Sequence, residues 1–72
     1  MEERIIGYLS YKFRIYFDEN KIEILNRDYE FLKELNMDIT SDLENILTSK
    51  GYDLVEFLDE LLTKEKLNTK TI

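Results

Sequence analysis

Residues 5–17 read IIGYLSYKFRIYF and carry an apolar, aromatic or glycine residue at every odd-numbered position. The even-numbered positions include Ser10, Lys12 and Arg14. Because successive side chains of a β-strand point to opposite faces, this alternation predicts a strand with one buried face and one face in water. The stretch is about twice as long as the usual strand of five or six residues. We therefore expect it either to fold back on itself or to leave a long edge that something else covers.

The second half of this stretch predicts a β-hairpin with the residues that follow it. A two-residue loop at positions 19–20 would pair Phe17 with Ile22 and Ile15 with Ile24. All four side chains would then lie on one face. A slip of one residue would mix apolar and charged side chains on that face, so the pattern favours this register.

Residues 1–11 allow three interpretations. As a strand, they would turn near Ser10-Tyr11 and complete a three-stranded meander, although that turn contains no Gly, Asn, Asp or Pro. As a helix, they would place Gly7 inside it at a cost of about 1 kcal/mol. As a continuation of the next strand, they would have no partner within the chain. In that last case a second copy of the chain would pair with a strand that contains Ile5, Gly7, Leu9 and Tyr11.

The hydrophobic period changes from two to about 3.6 residues after Asn26, which predicts three short helices. The first would contain the apolar stripe within residues 29–35. The second and third would be capped by Ser41 and Asp53, each followed three residues later by a glutamate, as in a capping box. The third helix should run to about Lys66.

These elements predict a single domain of class α+β that spans residues 1–72. A β-hairpin or three-stranded antiparallel sheet in residues 1–26 would pack against three short helices in residues 27–66. Residues 67–72 show no pattern and should fray. The chain has neither cysteine nor histidine, so disulfides and zinc sites cannot add stability, and a homo-oligomer is an alternative to a stable monomer.

The net charge of −6 is unevenly distributed along the chain. Residues 28–63 contain ten acidic side chains against only Lys33 and Lys50, whereas residues 1–27 are balanced. Such a surface repels DNA and acidic membranes and attracts basic protein surfaces. We therefore expect no direct DNA binding and no membrane association. The acidic N-terminus does not resemble a signal peptide, which favours a cytoplasmic location.

The most distinctive charged feature is an acidic stripe on the third predicted helix. It consists of Asp53, Glu56, Asp59 and Glu60. The stripe is the candidate partner-binding site, and it suits docking to a basic protein or mimicry of nucleic-acid phosphates. The simpler alternative is a solvated helix face that keeps a small protein soluble.

Catalytic and metal-binding patterns are not found in the sequence. Ser10, Ser41 and Ser49 have no histidine that could activate them, and the only glycines are Gly7 and Gly51, so there is no phosphate-binding loop. The acidic residues do not follow the spacing of a calcium-binding loop. We therefore expect no catalytic residues, no metal and no cofactor, and we do not expect an enzyme.

The sequence as a whole predicts a small acidic regulatory protein that acts by binding a protein partner, preferably one with a basic surface. The first alternative is a structural homodimer or higher oligomer that pairs through its N-terminal strand. The second is an acidic inhibitor that mimics nucleic acid, of the type carried by phages and mobile elements. These hypotheses differ in which surface meets the partner, and the structure locates those surfaces.

Overall fold

The computed structural model describes residues 3–67, which form a four-stranded antiparallel sheet followed by two helices. The strands lie in the order of the chain: β1 (Glu3–Tyr8), β2 (Tyr11–Tyr16), β3 (Lys21–Asn26) and β4 (Phe31–Asn36). The helices are α1 (Ser41–Thr48) and α2 (Tyr52–Lys64). The predicted α+β class is confirmed, but the described part of the chain has one strand more and one helix fewer than expected.

The first strand turns back on the second through a two-residue turn at Leu9-Ser10. In this register Ile6 lies opposite Phe13. Even-numbered residues of β1 therefore share a face with odd-numbered residues of β2, because directly opposed residues point to the same side. The alternation over residues 5–17 thus changes face at the turn. The meander interpretation of residues 1–11 is confirmed, with the turn one residue earlier than predicted.

The residues proposed for an oligomer-forming strand do not form one continuous strand. Ile5 and Gly7 lie in β1, and Leu9 lies in the turn. Tyr11 begins β2, where it is paired on both sides, with Tyr8 and Asn26. Within the described residues only β1 and β4 have a free edge, so pairing with a second copy would involve Ile5 and Gly7 and not Tyr11.

The register predicted for the central hairpin is wrong by two residues. Ile15 lies opposite Ile22, and the loop has four residues, from Phe17 to Asn20, instead of two. Because strand side chains repeat every two residues, this shift leaves the face of each one unchanged. Three of the side chains predicted for the inner face, those of Ile15, Ile22 and Ile24, are fully buried, whereas Phe17 lies in the loop.

Asn20 connects this loop to the segment that leads into α1. It adopts the left-handed conformation with φ of 51°, which Asn tolerates better than most residues. Its side-chain oxygen accepts a hydrogen bond from the backbone N–H of Ile39 at 2.9 Å, and its carbonyl accepts one from Met37 at 3.0 Å. One polar residue therefore fixes both the central hairpin and the approach to the helices.

The helix predicted within residues 29–35 is wrong, since this segment forms β4. Its apolar residues fit a helical stripe, but Leu35 lies opposite Ile22 and packs against the core from a strand. An isolated two-turn helix is marginal in water, whereas pairing with β3 satisfies the backbone groups of both strands. The side chain of Asn26 closes a turn instead of capping a helix, because its oxygen accepts hydrogen bonds from the N–H groups of Asp28 and Glu30.

Both predicted C-terminal helices are present, with different caps. Thr40, and not Ser41, caps α1, and its hydroxyl oxygen accepts a hydrogen bond from the N–H of Leu43 at 3.2 Å. Gly51 precedes α2 and gives it no side-chain cap, so Asp53 is not the capping residue. The predicted frayed tail, residues 67–72, lies outside the described residues except for Leu67, which is partly buried against the core.

The hydrophobic core lies between one face of the sheet and the two helices. The sheet contributes four fully buried side chains and the helices contribute four that are buried or nearly so: Phe13, Ile15, Ile22, Ile24, Leu47, Leu58, Leu61 and Leu62. No described helix covers the other face of the sheet. We call it the open face, and β2 presents Lys12, Arg14 and Tyr16 there.

Replacing Leu62 with alanine should lower the free energy of unfolding by about 3 kcal/mol, because it leaves a cavity in a fully buried part of the core. The matched control is Val55→Ala on the exposed side of the same helix, which should change it by less than about 0.5 kcal/mol. Urea denaturation of both variants measures the difference. Equal effects of the two substitutions would contradict this assignment of the core.

Candidate functional site

The acidic stripe predicted on the last helix is only partly free for a partner. Asp53, Glu56 and Glu60 are exposed on α2. Asp59 is half-buried, and its carboxylate accepts a hydrogen bond from the hydroxyl of Tyr8 at 3.2 Å. The structure therefore leaves three carboxylates in solvent and uses the fourth to join α2 to β1.

The contact between Tyr8 and Asp59 changes the titration of the tyrosine. Burial raises the pKa of the Tyr8 hydroxyl above its usual value, and the adjacent negative charge and hydrogen bond of Asp59 raise it further. The hydroxyl thus stays protonated and donates to the carboxylate. This role of Asp59 is structural and removes it from the set of freely available acidic groups.

One half of the open face carries a network of ion pairs. Arg14 lies 3.8 Å from a carboxylate oxygen of Glu3 and 3.7 Å from one of Glu23. The ammonium group of Lys21 lies 3.6 Å from Glu19 and 3.9 Å from Glu34. Burial alone would lower the pKa of Lys21, but the surrounding carboxylates outweigh that effect and raise it. The cations in this half are already paired, which makes it a poor surface for a nucleic-acid backbone.

The end of the sheet that holds the turns after β1 and β3 has a different character. Leu9 adopts a φ of 56° and Tyr29 a φ of 65°, both in the left-handed region. For a non-glycine residue this conformation costs about 1–2 kcal/mol. Both side chains are nevertheless substantially exposed, Leu9 by 39% and Tyr29 by 54%. The turns hold two bulky apolar side chains in a strained backbone and present them to solvent.

Two further apolar residues extend this region along β4. Phe31 is 58% exposed and Leu32 is 41% exposed. We call Leu9, Tyr29, Phe31 and Leu32 together the turn-end surface. It is continuous with the open face, because the ammonium group of Lys12 lies 5.4 Å from the ring centre of Tyr29. Leu25, which lies opposite Lys12 and Phe31 in the register, is buried beneath this region.

Two cavities lie beside the helices. One has a volume of about 250 Å³ next to β1, and the other has about 320 Å³ between Met37 and α2. The second is lined by Glu60 and Lys64 among apolar side chains, without a nucleophile next to a base. Within residues 3–67, no group of three or more acidic side chains is placed to hold a metal ion. The turn-end surface is therefore the best-defined candidate site.

The sequence pattern does not predict the turn-end surface as a unit. It indicates a helical stripe for Tyr29, Phe31 and Leu32, and it leaves Leu9 in a segment that is either strand or helix. The signal for the turn is the order Asn-Arg-Asp at residues 26–28, a composition typical of side-chain-stabilised turns.

None of the helices in the described part of the chain is long and apolar enough to cross a membrane.

Replacing Tyr8 with phenylalanine should make the loss of stability at alkaline pH less steep. Because the pKa of Tyr8 is raised in the folded state, its contribution is fully present below the ordinary tyrosine value of about 10 and is lost as the pH rises through the folded-state value. Urea denaturation between about pH 8 and pH 11 measures this slope. Tyr52→Phe, at a tyrosine that is 75% exposed, is the control and should keep the wild-type slope. A wild-type slope in the Tyr8 variant would contradict the assigned contact.

Comparisons of this chain with protein-family models, with curated proteins and with solved structures found no match. Among the surfaces of the described residues, the turn-end surface combines exposed apolar side chains with backbone strain.

Proposed function

We propose that this chain is a small, non-enzymatic regulatory module that binds a protein partner through the turn-end surface. The observation that carries the proposal is the left-handed conformation of Leu9 and Tyr29, whose bulky side chains remain exposed. Glycine or asparagine would fit these turns at lower conformational cost. Strain of this kind is concentrated at functional sites, where the surrounding structure holds the residue in place.

The chemistry of the turn-end surface suits a protein interface. Aromatic residues are enriched in the buried centres of such interfaces and contribute much of their binding energy. Tyr29 and Phe31 are both more than half exposed and lie within two residues of each other. Lys12, beside the ring of Tyr29, adds a cation at the border of the apolar region. An apolar centre with a polar border is the usual arrangement for binding a folded partner.

The acidic charge of the chain supports a partner with a basic surface. The net charge is −6, and Asp53, Glu56 and Glu60 lie exposed on α2. Charges outside the contact accelerate the encounter of oppositely charged proteins more than they strengthen the final complex. In this proposal the acidic stripe steers the partner and the turn-end surface holds it.

A homo-oligomer is the second candidate, because β1 is an outer strand of the sheet with an edge that no described strand occupies. Light scattering during size exclusion decides this case, since a monomer at high micromolar concentration excludes it. Mimicry of nucleic acid has less support, because the bond between Tyr8 and Asp59 reduces the stripe to three freely exposed carboxylates.

Replacing Tyr29 with asparagine should abolish partner binding without unfolding the chain. Asparagine tolerates the left-handed conformation, so relief of backbone strain should offset the lost contact with Lys12, and the free energy of unfolding should change by less than about 1 kcal/mol. Partners are captured at low salt from a lysate of cells that encode the chain. The affinity of each purified partner is then measured by calorimetry, and we expect a loss of at least tenfold.

The matched control is Tyr52→Asn. Tyr52 is the more exposed tyrosine but lies at the start of α2, outside the turn-end surface. This variant should retain the captured partner and its affinity. Binding that is unaffected by Tyr29→Asn, or equally reduced by both substitutions, would contradict the assignment of the turn-end surface.

A further inference from the structure

We propose that the outer edge of β1 is a second binding surface, which accepts an extended acidic segment of a partner protein as a fifth strand of the sheet. It is separate from the turn-end surface and goes beyond the function proposed above. A strand that adds to a sheet edge gains affinity from main-chain hydrogen bonds and specificity from pockets for alternate side chains. Both features are found beside β1.

The two free edges of the described sheet differ in how they are protected. At β4, the pairing with β3 is interrupted by a bulge near Leu25, and Lys33 forms an ion pair with Glu65 at 3.1 Å. Bulges and charged residues that point inward are common devices that keep an edge from pairing with another strand. In contrast, β1 pairs with β2 without interruption from Glu3 to Tyr8 and has no proline, and its one charge on the helix side, Arg4, forms no ion pair within residues 3–67. Its backbone is the better template for an added strand.

A cavity of about 250 Å³ lies directly beside this edge. Its apolar lining includes Ile6 of β1, Leu47 of α1 and Leu54 of α2. Alternate side chains of an added strand would point toward the helices, and one of them would lie against this lining. The cavity is thus placed to accept an apolar side chain from the incoming segment.

The same cavity is bordered by two cations, Arg4 and Lys50. Within residues 3–67 six of the nine cations form no ion pair, and Arg4 and Lys50 are the two of these six that line this cavity. The cavity therefore has two positive charges at its border in a chain with a net charge of −6. They are complementary to a carboxylate on the side of the added strand that faces the helices.

Charge also distinguishes a foreign segment from a second copy of β1. In a two-fold pairing the same residues of both copies meet at one interface. Arg4 and Lys50 of both copies would then border the joined edge, and the residues of β1 on the helix side, Arg4, Ile6 and Tyr8, include no acid. The like charges oppose self-pairing, whereas an acidic segment neutralises them.

The test is a selection of random ten-residue peptides displayed on phage, with the full chain as bait. We expect enrichment of β-forming segments in which an acidic residue lies two positions from an apolar one. Affinities of the selected peptides are then measured for wild type and for the double variant Arg4→Glu, Lys50→Glu, where we expect a loss of at least tenfold. Replacing the acidic residue of the peptide with its amide should also weaken its binding to the wild-type protein, because the charge complementarity is then lost from the peptide side.

The matched control is Arg27→Glu, which reverses an exposed cation in the turn between β3 and β4 and should leave peptide affinity unchanged. Circular dichroism shows whether the double charge reversal leaves the chain folded. If it does not, Arg4→Gln with Lys50→Gln removes the same positive charges without adding negative ones. Tyr29→Asn should bind the peptides normally, which separates failure of this proposal from failure of the turn-end surface. Absence of enriched acidic segments, or equal affinity for wild type and charge variants, would overturn the proposal.

Discussion

The structure depends on the burial of one face of a small sheet by two short helices. Phe13 and three isoleucines of the central strands are fully buried, and Leu47, Leu58 and Leu62 pack against them. Helices of eight and thirteen residues cover one sheet face, and none of the described residues forms a layer on the other. A chain of this length reaches stability with little to spare, so its uncovered surfaces deserve a physical explanation of their own.

Those uncovered surfaces differ in how they are stabilised. The half of the open face around Arg14 and Lys21 is balanced by ion pairs. The edge of β4 is protected by a bulge and an ion pair. The turn-end surface has no ion pair among the described residues and carries backbone strain, and the edge of β1 has no bulge. We interpret these two regions as the places where the chain meets other proteins.

Local pattern predicted the inner face of the central hairpin and the two C-terminal helices. The period of two assigned Ile15, Ile22 and Ile24 to one face even though the predicted register was two residues off, because such a shift preserves the face. The fourth strand was not predictable in this way. Over so short a length, the apolar residues of 29–35 fit both the strand period of two and the helix period of about 3.6. The strand forms because β3 offers an edge with which it can pair.

The candidate sites were less predictable than the fold, because they depend on contacts between distant residues. The sequence pattern places Asp59 in a helical acidic stripe. Only the structure shows that its carboxylate accepts a hydrogen bond from Tyr8, 51 residues away in the chain. Similarly, the cations Arg4 and Lys50 come together through the packing of β1 beside the connection between the helices. The exposure of Tyr29 follows from a turn whose closure depends on the side chain of Asn26.

The free protein holds Leu9 and Tyr29 in the left-handed conformation with their side chains partly exposed to solvent. Solution NMR tests it most directly, through the intraresidue nuclear Overhauser effect between the amide and α protons and through relaxation caused by a soluble paramagnetic agent. We predict strong intraresidue effects and strong paramagnetic relaxation at both residues in the isolated chain. Ordinary negative φ angles, or side chains shielded from the agent, would contradict the account.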